Sequence, residues 1–153
     1  MDSYFSGSTK KYNIILYNNN RVLQITEDGY LQMVLDESKA TQIELHEYVN
    51  CDCMRRSLSL YYNDNPINFK YPKKNENVKI DLSDNSCKPY ILEKKDNHIT
   101  HFAILNNSFA SWALDDYNRL NNIDGPIKWW DLNTTNNGLK TPKPNQLFSV
   151  KYL

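Results

Sequence analysis

Three short stretches in the last third of the chain carry side chains that could do chemistry together. They are Trp112-Ala113-Leu114-Asp115-Asp116, Pro126-Ile127-Lys128-Trp129-Trp130-Asp131-Leu132-Asn133 and Asn145-Gln146-Leu147-Phe148. An aspartate, an aromatic residue and an amide pair suit recognition of a sugar ring. The carboxylate accepts hydrogen bonds from vicinal hydroxyls, an aromatic face covers the apolar C–H patch, and a side-chain amide both donates and accepts. Lys128 and Trp130 lie two apart on a predicted strand and point to one side, whereas Trp129 points to the other. If Trp129 packs inward, Trp130 is left facing outward, where a stacking platform would explain it. The plainer reading makes Trp130 a loop cover, Asp115 a turn residue and Asn145 ordinary loop chemistry after Pro142-Lys143-Pro144.

Other chemistries find less support. His46, His98 and His101 are widely separated and have no nucleophile elbow beside them, which argues against a catalytic triad. His46, in an alternating strand, reads as a surface histidine. Asp115-Asp116 and Asp36-Glu37 are adjacent acidic pairs whose side chains diverge in extended backbone, whereas acid–base catalysis needs carboxyls that converge. Four glycines leave no room for a glycine-rich phosphate loop. Cys51, Cys53 and Cys87 are odd in number, with no metal spacing and a Cys-x-Cys too tight for an ordinary bridge, so free thiols and no cofactor are expected.

Composition sets the scale for the elements that must hold these residues. At 153 residues the chain can bury a core of its own, and one domain spanning 1–153 is expected. Lysine plus arginine and aspartate plus glutamate balance at 18 each, which leaves no basic footprint for nucleic acid or an anionic membrane. The basic clusters Arg55-Arg56, Lys73-Lys74 and Lys94-Lys95 read as solvated loops offset by nearby acids. Met1 to Gly7 has neither a basic nor an apolar region of a secretory leader, and no transmembrane run follows. A cytoplasmic location, or release by a leaderless route or with partner proteins, is the expectation. The sequons Asn106-Asn107-Ser108 and Asn133-Thr134-Thr135 then read as chance matches in an Asn-rich sequence.

Short apolar or alternating runs, separated by Asn, Asp, Gly and Pro, predict an all-β chain. A first quartet covers Tyr12 to Tyr17, Arg21 to Ile25, Tyr30 to Leu35 and Gln42 to Tyr48. A second covers Ser57 to Tyr62, Ile67 to Tyr71, Val78 to Leu82 and Tyr90 to Glu93; a third covers His101 to Leu105, Ser111 to Leu114, Ile127 to Trp130 and Leu147 to Val150. Asp124-Gly125-Pro126 interrupts any helix over Asp115 to Asn122, which reads as a loop. Units of about 10–54, 55–98 and 99–153 repeat at roughly 45 residues and suit a β-trefoil, a closed barrel with a hairpin cap. Ile14, Leu23, Leu58, Ile104, Leu114 and Phe148 are its expected core.

The order of site residues in the third unit resembles the sugar-binding repeat of ricin-B-type β-trefoil lectins. Repeats of that family begin their closing strand with Gln-x-Trp, the Trp filling the core. Gln146-Leu147-Phe148 keeps the shape with Phe, Gln42-Ile43-Glu44 keeps only the Gln, and Lys88-Pro89-Tyr90 keeps only an aromatic. By this resemblance Asp115 matches the carboxylate that takes two sugar hydroxyls and Trp130 the stacking aromatic. Lys128 occupies a position that often carries Gln, Asn145 matches the amide ligand, and Gln146 matches the residue that steadies the aspartate. Length and ending are also similar to the small single-trefoil subunit of clostridial haemagglutinin complexes.

The resemblance implies a non-enzymatic carbohydrate-binding protein, of the galactose or N-acetylgalactosamine class, with one competent site in the third unit. Its partners would be glycans or glycoproteins, and other subunits of a complex in the alternative reading, where the chain is a non-sugar-binding adaptor of a haemagglutinin or toxin assembly. A single site implies a weak grip, of the order of millimolar to tens of micromolar, and useful avidity would come from assembly.

Overall fold

The computed structural model describes residues 7–50, 55–83, 86–107 and 112–153. Alternating polar and apolar residues between Asn- and Gly-bearing turns form an all-antiparallel set of strands. The first unit holds β1 (Gly7–Asn18), β2 (Arg21–Ile25), β3 (Leu31–Val34) and β4 (Ile43–Asn50). The second holds β5 (Arg55–Tyr62), β6 (Asn65–Pro66) and β7 (Tyr90–Asp96). The last third holds β8 (Ile99–Leu105), β9 (Trp112–Asp116), β10 (Gly125–Asp131), a small hairpin of β11 (Asn133–Thr134) and β12 (Lys140–Thr141), and β13 (Phe148–Tyr152). Seven strands close a barrel in the order β13-β8-β9-β10-β3-β2-β1, with β1 returning to β13. Strands β4, β5 and β6 extend outward from β1, and β7 pairs with β8.

Turn chemistry accounts for the tight connections. Asn19 and Asn20 between β1 and β2, and Asn63 and Asp64 between β5 and β6, all take left-handed backbone, which Asn and Asp tolerate better than most residues. The Tyr117–Ile123 stretch is a run of turns, not a helix, as its punctuation predicts.

The middle unit departs from expectation. Ile67 to Tyr71 and Val78 to Leu82 form isolated bridges instead of strands, Phe69 with Ile80 and Cys87, Tyr30 with Lys79, and Asn77 with Lys128. Pro66 and Pro72 flank the first of these stretches and supply no N–H, which limits how far a ladder can extend through Ile67 to Tyr71. Two basic clusters are also strand residues, not loops: Arg55-Arg56 opens β5 and Lys94-Lys95 lies in β7. Arg56 reaches Glu93 and Glu47 at 2.7 Å each, tying β5 to β7 where no ladder joins them.

Trp129, Phe69, Phe102 and Phe148 are the large aromatics of the core, with Phe69 edge-on to Trp129 at 5.5 Å. Ile14, Leu23, Ile104, Leu114 and Phe148 are buried as expected, but Leu58 is only half-buried against the cluster. Of the three Gln-x-Trp-like positions only Phe148 fills the core; Glu44 is half-buried and Tyr90 is exposed, with Ile91 packing inward in its place.

Cys87 is a half-buried free thiol whose hydrogen bond goes to the Asn106 carbonyl, and burial pushes its pKa up. It should therefore react with a disulfide reagent at pH 8 more slowly than a small free thiol does, and as fast as one after denaturation. Equal rates in the native state would refute its protection. Cys51 and Cys53 lie outside the described residues.

Candidate functional site

The β9–β10 hairpin sorts the site by strand alternation. Asp115 stands opposite Lys128, Leu114 opposite Trp129, and Ala113 opposite Trp130. Leu114 and Trp129 face the core, 1% exposed each, so Asp115, Lys128 and Trp130 share the outer face. Asp116 is turned the opposite way from Asp115, as adjacent residues in a strand must be. It is fully buried and ion-paired with the buried Arg21.

A short 3-10 turn, Pro144–Gln146, is folded across the outer face. Gln146 is fully buried beneath it; its amide nitrogen donates to Asp115 Oδ2 at 3.1 Å and to the Asp131 carbonyl at 2.8 Å, while its oxygen accepts from Lys143 N at 3.0 Å. The amide nitrogen is held by Asp115 and the Asp131 carbonyl and the oxygen by Lys143 N, so Gln146 sets the distance between the turn and the hairpin. Asn145 is half-buried and also hydrogen-bonds the Asp115 carboxyl. Asp115, Trp130, Asn145 and Gln146 are thus brought together, with Lys128 opposite Asp115.

Asp115 is more covered than a carboxylate expected to take two sugar hydroxyls. It is 4% exposed, because the 143–146 turn covers it. Desolvation by burial raises its pKa above the ordinary 3.8, and hydrogen bonds from Asn145 and Gln146 and the charge of Lys143 oppose that rise only in part.

Trp130 is half-buried, and its surroundings come largely from elsewhere in the chain. Lys74 Nζ lies 5.2 Å from the ring centroid and 2.6 Å from Asp131 Oδ2. Tyr117 is tilted against Trp130 at 6.4 Å, and Lys128 Nζ sits 4.7 Å over the Tyr117 ring and 3.3 Å from Asn75 Oδ1. Lys74, Asn75, Tyr117 and Lys143 therefore belong to the site, although sequence reading did not select them. Lys143 and Tyr117 stood close in sequence to chosen residues, a signal that could have found them; Lys74 and Asn75 carried none.

Histidine chemistry does not join this site. His46 stacks on Tyr61 at 3.8 Å and contacts Glu44, which makes it a partly covered strand residue and not a freely exposed one. Among the described residues no group of three or more His, Cys, Asp or Glu side chains converges as a metal site. No helix among them is long and apolar enough to cross a membrane. No protein-family model matches the chain, and comparison with curated proteins gives no match.

Proposed function

We propose that this chain is a non-enzymatic carbohydrate-binding protein with β-trefoil architecture and one competent site in its third unit, taking galactose or N-acetylgalactosamine. The observation that carries the reading is the buried Gln146 fastening Asp115 beside the outward-turned Trp130. An anchored carboxylate, the Asn145 amide and an indole on one face supply acceptor, donor and stacking surface together. The sugar class follows from the lectin resemblance. The trefoil arrangement is supported by the contacts among three hairpin-like elements: Tyr30 bridges Lys79, Asn77 bridges Lys128, and Gly125 pairs with Met33. It is further supported by the succession β1–β4, β4–β5, β7–β8, β8–β13 and β13–β1.

Titration of galactose and N-acetylgalactosamine by NMR or calorimetry tests the site. Asp115→Asn and Trp130→Ala should each weaken binding by about 1–3 kcal/mol, enough to remove a weak monovalent interaction. Asparagine is the better replacement at 115 because it keeps the covered volume filled. Binding by wild type that neither variant alters would place the site elsewhere, and no binding to any arrayed glycan would end the lectin reading.

The pH dependence has a definite sign. The ionised Asp115 is a stronger acceptor for a sugar hydroxyl than the protonated one, and its pKa lies above 3.8 in the fold. Affinity should therefore be full near neutrality and fall on acidification through a midpoint above 3.8. A midpoint at or below the ordinary value would contradict this role.

One observation favours a second reading, a non-sugar-binding adaptor. Lys74 occupies space above the Trp130 ring, and Tyr117, Leu120 and Ile123 are exposed on the adjoining β9–β10 connection. Those side chains would suit contact with a larger protein subunit.

A further inference from the structure

The chain holds a concavity remote in sequence from Asp115 and Trp130. The β9–β10 connection folds back over the β1–β2 turn, where Asn19 donates to the Arg119 carbonyl and Arg21 to the Ile123 carbonyl. Between β2 and β3 the connection is only the Thr26–Gly29 turn and Tyr30, and it stands beside the β5–β6 turn without covering it. A cavity of about 440 Å³ remains between the two turns. That volume is within the range of small-molecule sites, roughly 300–1,000 Å³.

Its walls are apolar below and acidic above. Ile25 and Ile67, both buried, and the half-buried Ile80 form the floor, with Tyr62, Pro66 and Leu82 at the sides. Leu82 is 67% exposed, an apolar side chain left at the mouth. Glu27 and Asp28 are exposed on the rim, and neither has an ion-pair partner among the described residues. The nearby cations are turned elsewhere: Lys79 Nζ lies over the Tyr30 ring at 5.2 Å, and Lys70 reaches Glu76 at 3.8 Å. The acidic wall is also held in place. Gly29 N donates to Thr26 O at 2.9 Å, Tyr30 N to Thr26 Oγ1 at 3.1 Å, and Ile80 N to Gly29 O at 2.8 Å. Gly29 has φ +86°, a left-handed conformation that glycine supplies without strain.

We propose that this cavity binds a small organic amine, its apolar body on Ile25, Ile67 and Ile80 and its ammonium group at Glu27 and Asp28. A preformed apolar floor lowers the cost of ordering the ligand, and two free carboxylates at one lip select a cation over a neutral or anionic isostere. This site is independent of sugar binding.

The test uses 2-phenylethylammonium, 2-phenylethanol and 3-phenylpropanoate, titrated into the full chain with the methyl signals of Ile25, Ile67, Ile80 and Leu82 observed by NMR. The amine should shift these signals and bind about five-fold more tightly than the alcohol at low salt, as two exposed ion pairs allow. That margin should narrow in high salt, and the propanoate should bind least. The double variant Glu27→Gln, Asp28→Asn should keep alcohol binding and lose the preference. Leu82→Asn, at an exposed position, should weaken amine and alcohol together. Unmoved methyl signals, equal binding of the three compounds by wild type, or unchanged binding by Leu82→Asn would overturn the proposal.

Discussion

Asp116→Ala should lower the stability of the fold by about 3–5 kcal/mol, read from the urea midpoint at neutral pH. Arg21 and Asp116 are both fully buried, and Arg21 also donates to the Ile123 carbonyl at 3.0 Å. Removing the carboxylate leaves a guanidinium without its counter-charge, where hydration cannot compensate. The double variant Arg21→Met, Asp116→Leu should recover most of the loss, because similar apolar volumes avoid desolvating two charges. If the double variant is as unstable as the single one, the damage comes from lost loop anchoring and not from the unpaired charge.

The covered Asp115 sets a sign for acid stability. Burial raises its pKa above 3.8, against the opposing hydrogen bonds of Asn145 and Gln146, so the folded chain holds this proton more tightly than the unfolded chain. Between those two values acidification favours the fold at Asp115. Glu93 and Asp131 act oppositely. Arg56 and Lys74 hold their carboxyls below the ordinary values, so their stabilisation is present above the unfolded pKa and is lost as pH falls through the folded one.

The second large effect is expected at Gln146. Gln146→Leu fits the volume approximately but strands Asp115 Oδ2, the Asp131 carbonyl and Lys143 N in covered positions. At roughly 1–3 kcal/mol for each unsatisfied buried group, partly relieved by local opening, the net loss should be about 3 kcal/mol. Gln42→Leu is the control, since Gln42 is exposed at the corresponding place of the first unit and should change stability by less than about 0.5 kcal/mol. A Gln146→Leu variant as stable as the control would show that the turn does not depend on this amide. Under the proposed function the variant should also lose sugar binding, because Asp115 is no longer held.

Much of this architecture is legible in residue order. Alternation in Ile127-Lys128-Trp129-Trp130 sends Trp129 into the core and Trp130 outward, because backbone pleating alone decides the facing of neighbours. The same rule separates Asp115 from Asp116. The expected strands of the first and third units are present, their ends shifted by a few residues, with Ser111 outside the described residues. In the second unit, isolated bridges replace the ladders that apolar content predicts, and Leu58 stays half-buried where β5 and β7 are joined by side chains instead of a shared ladder.

Local periodicity and backbone preference are enough for the all-β character, the short hairpin turns and the placing of Lys128 and Trp130 on one face of a strand. Packing of the whole chain sets Asp115 opposite Lys128, lays Pro144–Gln146 over that aspartate, brings Lys74 and Asn75 to the aromatic side of the site and gives Asp116 its Arg21 partner in the core. Those partners are set by how a closed barrel stacks distant segments and by which charges it strips of water. A pairing between residues 21 and 116 leaves no local trace, because its energy exists only once both strands have been buried together.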